Sequence, residues 1–519
     1  MKLFKLFILL FILLSLTRVD YRINEFENGF QTDDHEYYYH LKTIVVDGDL
    51  DYSNQFSGAN LEKLYINSDG EVKPNHPIGM SMLSLPFYFV AFHFSEIFNI
   101  QSSPSFEYFI YSFSSIFYLF LSIFLIRKIL IAQKINFKTI NLYLFIFGSG
   151  LVYFAFFRFS MTPIYEFFSV IFLYWFISKT YGTNYWFLTP IFQFFFLTIR
   201  FSNYHLFLIP LFFVLLEKKK INKIFNFRYL LGFIFGITLF FIHTKIMYGV
   251  YTLNPANIFV NVALDEQERF KNLFKFDLIF ENLLIFFNSL KIVFFGQEFG
   301  LFVFSPILFI TPLVIFKFIK VNDYKLLISY IFIFLICFFP IVIYQSTSYS
   351  YGFRYLYSFI PINLLIYFRY LKDNKFTSYY LVIFSVVSLI FTIFFQTSNY
   401  TNLSEVEILN SFGQYERYSN STILYGSLNG LLEFNSYIKL IFTSFTGILL
   451  IKSISLFLDP IDFIENFVNL SEKEMILIQN LNNYSTIYFI LVTLFYIFIL
   501  QLFLNDIKKE ALKKLIYRD

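Results

Sequence analysis

Residues 301–316, LFVFSPILFITPLVIF, are apolar at every phase. A transmembrane β-strand alternates lipid-facing and lumen-facing side chains over about ten residues, so this run excludes an outer-membrane barrel and reads as helix immersed in lipid. Similar runs, roughly long enough at about 17–25 residues to cross a bilayer, recur along a chain of 519 residues that is 57% hydrophobic and 15% charged. With a mean hydropathy of +0.60, the sequence specifies an all-α polytopic membrane protein.

Phe (81) and Tyr (40) are abundant. Ile, Asn and Lys are also frequent, and all five have A/T-rich codons, so genome composition explains the excess without a functional aromatic array. The net charge of +4 is small, and the lysines lie in short loops, where they act as membrane orientation signals; nucleic acid is not an expected partner. The single Cys337 permits no internal disulfide and sits in an apolar run, where a buried, inert thiol is expected.

The N-terminus, MKLFKLFILLFILLSLTR, has a basic start and an apolar centre but no small-residue cleavage site, and reads as an uncleaved first helix with Lys2 and Lys5 in the cytoplasm. If residues 78–98 also spanned, the next helix would deliver Arg127, Lys128, Lys134 and Lys138 to the outside, so this run is read as a helix lying along or dipping into the outer face. An outer region, 18–106, carrying juxtamembrane helices follows. The basic loops 217–228, 317–325 and 369–375 then fall in the cytoplasm, and the loops around 158–162, 200–204, 248–283, 345–354 and 396–435 outside. About twelve spans result, with one of the runs 437–457 and 486–504 interfacial if the basic tail is cytoplasmic. No long repeat or linker is evident; a boundary near Gln396 separates a membrane domain (1–395) from a C-terminal outer loop and terminal helices (396–519). The glycosylation spacing NLS at 402–404 arises often by chance.

Six acidic residues gather in GFQTDDHEYYYHLKTIVVDGDLD, residues 29–51. Asp33 and Asp34 follow the first helix closely, at the outer interface, where a carboxylate is placed to take a proton from an acceptor hydroxyl; a solvated loop or a helix N-cap is the plainer reading. His35 and Glu36 add to an acid density that suits a divalent cation, although no spacing defines a metal site. The DGD at 47–49 resembles a metal-binding pair of aspartates and also reads as a turn. Arg158, Arg200, Lys245 and Arg354 lie at predicted outer ends of helices, against the positive-inside trend, so each needs a carboxylate partner or an anionic ligand. Phosphate at the membrane surface is the economical shared ligand, because Arg binds it bidentately. Outer carboxylate, outer arginines and a hydrophobic bundle together fit group transfer from a lipid-carried phosphate, and no Gly-rich nucleotide cradle is present.

At these residues the sequence resembles a family. TDDHEYYYHLKTIVVDGDLDYSN (32–54) and GEVKPNHPIGMSMLSLPFYFV (70–90) look like the first outer loop of C-type (GT-C) membrane glycosyltransferases, namely the bacterial relatives of protein O-mannosyltransferases and aminoarabinose transferases. FSMTPIYEFF (159–168), IRFSNY (199–204), FGQEFGLFVFSPIL (295–308) and YSYGFRYLYSFIP (349–361) follow in the family order, so the likeness covers about residues 1–365. It implies a GT-C-like bundle, a polyprenyl-phosphate-linked sugar donor and inversion at the sugar carbon. Asp33 matches the catalytic aspartate and Asp34 its acidic neighbour; Lys73 and His76 match the region of the basic residue near the donor phosphate, and Arg354 the late arginine. Arg200 joins them as a phosphate contact, with Tyr37, Arg158 and Glu298 as further substrate contacts. Pro163 and Glu298 depart from the family pattern, where His or Asp and a basic residue are frequent. The expected protein is a bacterial inner-membrane enzyme facing outward, acting on a protein, lipid or polysaccharide acceptor. An O-antigen-type polymerase or ligase, and a lipid-linked-sugar transporter or flippase, are the competing readings.

Overall fold

The computed structural model describes residues 33–56, 66–67, 69–100, 103–156, 158–253, 279–295, 301, 305–344, 354–371, 375–397, 405–409, 415–419, 445–470 and 472–483, with short pieces between 438 and 505. The apolar N-terminal segment, Glu298, the motif at 402–404 and the basic tail lie outside these residues, as do the side chains of Asp33 and Asp34. The chain divides into two units, one formed by 30–389 with 408–416, the other by 1–29, 390–407 and 417–519.

In the first unit, α1 (Asp33–Lys42) runs into a wider π turn (Thr43–Asp47) that stops at Gly48, whose φ of 72° lies in the left-handed region. There follow α2 (Gly79–Ile97), α3 (Ser103–Ala132), α4 (Thr139–Phe147), α5 (Leu151–Phe156), α6 (Pro163–Thr180), α7 (Leu188–Leu197), α8 (Ile209–Leu216), α9 (Phe227–Tyr248), α10 (Ile279–Phe295), α11 (Ile310–Lys320), α12 (Tyr324–Tyr344), α13 (Ile360–Ile366) and α14 (Lys375–Thr397), the last continuing into the second unit. The second unit also carries α15 (Phe445–Ile454), α16 (Pro460–Glu465) and α17 (Glu472–Asn483). A two-stranded pair, β1 (Glu405–Leu409) with β2 (Tyr415–Ser419), is the departure from an otherwise helical architecture among the described elements.

Two helices, Phe106–Ala132 and Phe227–Tyr248, are long and apolar enough to cross a bilayer, with mean hydropathies of 2.1 and 1.8. Three other runs expected to span are broken: α7, α8 and α11 have 10, 8 and 11 residues, each entered through a 3-10 turn. A ten-residue α-helix rises about 15 Å, half of a hydrocarbon core of about 30 Å. Among the described residues, then, two helices meet both length and hydropathy for a span, α6, α12 and α14 run unbroken for 18, 21 and 23 residues, and further apolar helices are shorter.

Contacts order these helices between two ends. At one end Gln133, after α3, donates to Glu217 (2.7 Å) and to Tyr174 (3.0 Å), Arg369 pairs with the same Glu217 carboxylate, and Phe318 meets Tyr370 edge-on. The basic loops 217–228, 317–325 and 369–375, grouped by sequence on one side, thus meet at one end of the unit. At the opposite end the 158–162 loop, the turn after α7, the C-terminus of α9 and the start of the Arg354–Phe359 turn come together through Thr162, Arg200, Met161 and Arg354, and through the tie from Tyr204 to Leu253.

α2 folds back along the first half of α3: Tyr118 donates to the Leu83 carbonyl (2.8 Å), and Ser95 and Tyr88 donate to the two oxygens of buried Glu107 (3.0 and 2.9 Å). The Tyr165 hydroxyl lies between Ser84 (2.9 Å) and Ser114 (2.7 Å), which fixes this hairpin on the first turn of α6. α9 packs through Gly232 and Gly236: a Cβ on Gly232 would stand 1.8 Å from the Phe187 carbonyl oxygen, and one on Gly236 would stand 2.7 Å from Phe194. Small residues four apart let two backbones touch, the helix-packing device favoured in membranes. Its other face exposes Leu231, Ile234, Phe235, Leu239, Ile242 and Ile246. An apolar stripe of that size calls for an apolar surrounding.

Candidate functional site

α1 positions the site. Its C-terminal half is buried in aromatic contacts, Tyr38 against Tyr88 and Tyr108 (ring centroids 5.5 and 5.3 Å) and Tyr39 against Phe56 (5.0 Å). Ser81 donates to the Tyr37 carbonyl (2.7 Å) and ties α1 to α2. Positions 33 and 34 form its first turn. Helical spacing sets position 33 on the face of Glu36 and Tyr37, three and four residues on.

That face meets the segment before α2. Glu36 Oε2 accepts the backbone N–H of His76 (2.8 Å) and stands 2.9 Å from His76 Nδ1. Tyr37 meets the His76 ring edge-on (5.4 Å). His40 closes the arrangement with Nε2 2.9 Å from the His76 carbonyl and Nδ1 2.7 Å from the Tyr52 hydroxyl. A carbonyl only accepts, so Nε2 carries the proton and Nδ1 accepts from Tyr52. Burial keeps this imidazole neutral, its pKa pushed down to about 4. Burial also raises the Tyr52 phenol. Lys73 donates to the Leu50 carbonyl, lies 3.4 Å from Glu71 and sits over the Tyr52 ring at 5.6 Å.

The arginines form a second cluster next to it. Arg200, at 11% exposure, pairs with Glu166 (3.2 Å), whose side chain is fully buried on the first turn of α6. It also donates to Thr162. Its guanidinium lies 4.6 Å from the centre of the Tyr355 ring, and Arg354 lies 5.8 Å from the same ring while donating to Met161 Sδ (3.4 Å). The two clusters are joined by backbone: Gly79 N donates to the Thr198 carbonyl (2.8 Å), so the chain three residues after His76 touches the chain two residues before Arg200.

The structure therefore brings Tyr37 and His76 together with α1, and Arg200 with Arg354 around Tyr355. Lys73 belongs to the Leu50–Tyr52 side of the same loop. Arg158 opens the turn that supplies Met161 and Thr162, its N–H bonded to the Tyr153 carbonyl (3.0 Å). Lys245 is engaged in an ion pair with Asp69 (2.9 Å). The DGD segment forms a turn in which Asp49 and Asp51 accept the N–H groups of Asp51 and Ser53 (3.0 Å each), the latter holding the Asp51 carboxyl below its usual range. Among the described residues no group of three His, Cys, Asp or Glu side chains is arranged to hold a metal. Glu166 and Tyr355 were not singled out from sequence; the signal was an acidic residue in the first turn of an apolar helix, which needs a buried cation. No family model, curated protein or solved structure matches the chain.

Proposed function

We propose that the chain is an integral-membrane glycosyltransferase with a GT-C-like bundle of about twelve spans, sited in a bacterial inner membrane with its site facing outward. The observation that carries this is the convergence, at one end of an apolar helical unit, of α1 with its acidic first turn, the His76 segment and the Arg200–Tyr355–Arg354 stack. The exposed apolar face of α9 meets lipid in this reading, and the prenyl chain of the donor lies among such helices. The phosphate is met by His76, Lys73 and the arginines, with Tyr37 and Arg158 beside them. An acceptor hydroxyl oxygen attacks the anomeric carbon; its proton passes to the Asp33 carboxylate, with Asp34 as neighbour. The bond from the anomeric carbon to the phosphate oxygen breaks, and its electron pair leaves with the polyprenyl phosphate.

The test is transfer of radiolabelled sugar from polyprenyl-phosphate donors to membrane extracts, comparing wild type with Asp33→Asn, each with and without EDTA. Loss of a general base costs about 10²–10⁴-fold in rate; a loss of that size with donor binding retained is the expected result. The EDTA arm decides metal dependence. Normal transfer by the variant removes the first outer loop from the chemistry and moves the polymerase or transporter readings ahead.

A further inference from the structure

We propose that the Glu166–Arg200 pair is a sugar subsite, reading neighbouring hydroxyls of the donor's sugar rather than its phosphate. The inference rests on the transferase reading above and narrows the phosphate contacts named there to His76, Lys73 and Arg354. Its first observation is unfilled hydrogen-bonding capacity. Glu166 and Arg200 stand at ion-pair distance, 3.2 Å, yet neither carboxylate oxygen accepts a hydrogen bond and Arg200 Nη1 donates none. Nη2 is engaged, donating to Thr162. On the two turns that meet here, the buried Ser160 hydroxyl and the side-chain nitrogen of buried Asn203 are also without partners. Ser160 lies two residues before Thr162, and Asn203 donates its backbone N–H to the Arg200 carbonyl (3.0 Å). Buried polar groups without partners are costly and rare, so this much capacity on two touching turns points to a polar ligand.

The kinds of atom select the ligand. Two carboxylate oxygens only accept, the guanidinium and amide nitrogens only donate, and a hydroxyl does either. A phosphodiester offers acceptors alone, so it leaves the carboxylate unsatisfied and sets like charges against each other. Arg200 is already charge-compensated by Glu166, and the neutral pair adds no net attraction for an anion. Sugar hydroxyls donate and accept. One O–H given to the Glu166 carboxylate, with a neighbouring hydroxyl oxygen accepting from Arg200 Nη1, fills both members at once. Approach is from one side: Glu166, Ser160 and Asn203 are buried, whereas Arg200, Arg354 and Tyr355 keep partial exposure. Tyr355 lies against both arginines, its ring centre 4.6 Å from the Arg200 guanidinium and 5.8 Å from that of Arg354. The sugar subsite therefore adjoins the arginine left to the phosphate.

The experiment uses the full chain in detergent, as wild type, Arg200→Lys, Glu166→Asp, Ser160→Ala and Asp33→Asn. Arg200→Lys and Glu166→Asp keep both charges of the pair while changing the reach and planarity of its hydrogen-bonding groups; Ser160→Ala carries the test if either fails to fold. Equilibrium binding is measured for bare polyprenyl phosphate and for polyprenyl phosphate loaded with glucose, galactose, mannose or arabinose. At least one loaded probe is expected to bind wild type about ten- to hundredfold more tightly than the bare carrier, the size of a hydrogen bond or two to charged groups. Arg200→Lys and Glu166→Asp lower affinity for that probe far more than for the bare carrier, and Ser160→Ala does so several-fold. Equal losses for bare and loaded probes make the pair a phosphate or packing element and overturn the proposal. An unchanged ratio in all three variants, which leaves these groups to internal water, overturns it too, as does a wild type that prefers no loaded probe. Each of these results leaves the Asp33 transfer assay standing. Conversely, a ratio that collapses in Arg200→Lys with full transfer by Asp33→Asn sustains the subsite and sinks the Asp33 base.

Discussion

Arg200 shows how a single charge is accommodated at this end of the bundle. Sequence alone required for it either a carboxylate or an anionic ligand, and the fold supplies Glu166 from the first turn of α6. Removing one member of a buried pair leaves the other uncompensated, at a cost of about 3–5 kcal/mol. Glu166→Gln is therefore expected to lower thermal stability in detergent by that order, and Glu166→Gln with Arg200→Gln to recover part of it; an additive double variant would show that the two side chains do not interact. His40 supplies a pH dependence. Its pKa is about 4 in the fold against 6.5 for a free imidazole, so the unfolded chain binds the extra proton between those values and stability falls as pH drops through that window. The contribution is complete above about pH 6.5, and its loss approaches about 3 kcal/mol near pH 4. Unfolding followed from pH 7.5 to 4.5 should show a steeper decline for wild type than for His40→Gln, whose stability at pH 7.5 is itself lower.

Among the elements, two close approaches govern geometry. A Cβ on Gly79 would stand 2.4 Å from Thr198 Oγ1 and 2.5 Å from the Thr198 carbonyl carbon. The backbone cannot yield there without moving the His76 segment away from the Arg200 turn. Gly79→Ala should cost about 1–3 kcal/mol, the range for overpacking a tight contact, and reduce sugar transfer relative to wild type. Wild-type activity in the folded variant would show that the junction does not align the clusters. Gly232→Ala meets the Phe187 carbonyl and is expected to loosen α9 from the 3-10 turn before α7, read as faster proteolysis of the 217–226 connection.

For the whole molecule, the test is sidedness. With Cys337 buried, single cysteines at Asp49 and Lys219 can be labelled in intact cells with an impermeant maleimide: Asp49→Cys should react from outside and Lys219→Cys only after lysis. Labelling of both from one side would refute the proposed orientation. The helical class and the grouping of basic loops were legible in the sequence, because lipid imposes apolar runs and loop charge is a local property. The breaking of several runs into 3-10 turns and short helices was not, since hydropathy is blind to where a backbone bends inside an apolar stretch. The acidic cluster at 29–51 and the arginines were visible as residues that an apolar chain retains at a cost. Their partners were not: Glu36 and His76 are 40 residues apart, Glu166 and Arg200 are 34 apart, and Tyr355 joins from the far side of the chain. Sequence determined which groups are expensive to keep and roughly where along the chain they lie. Which of them meet was decided by the tertiary structure, because pairing depends on how helices cross and how closely glycines let them approach.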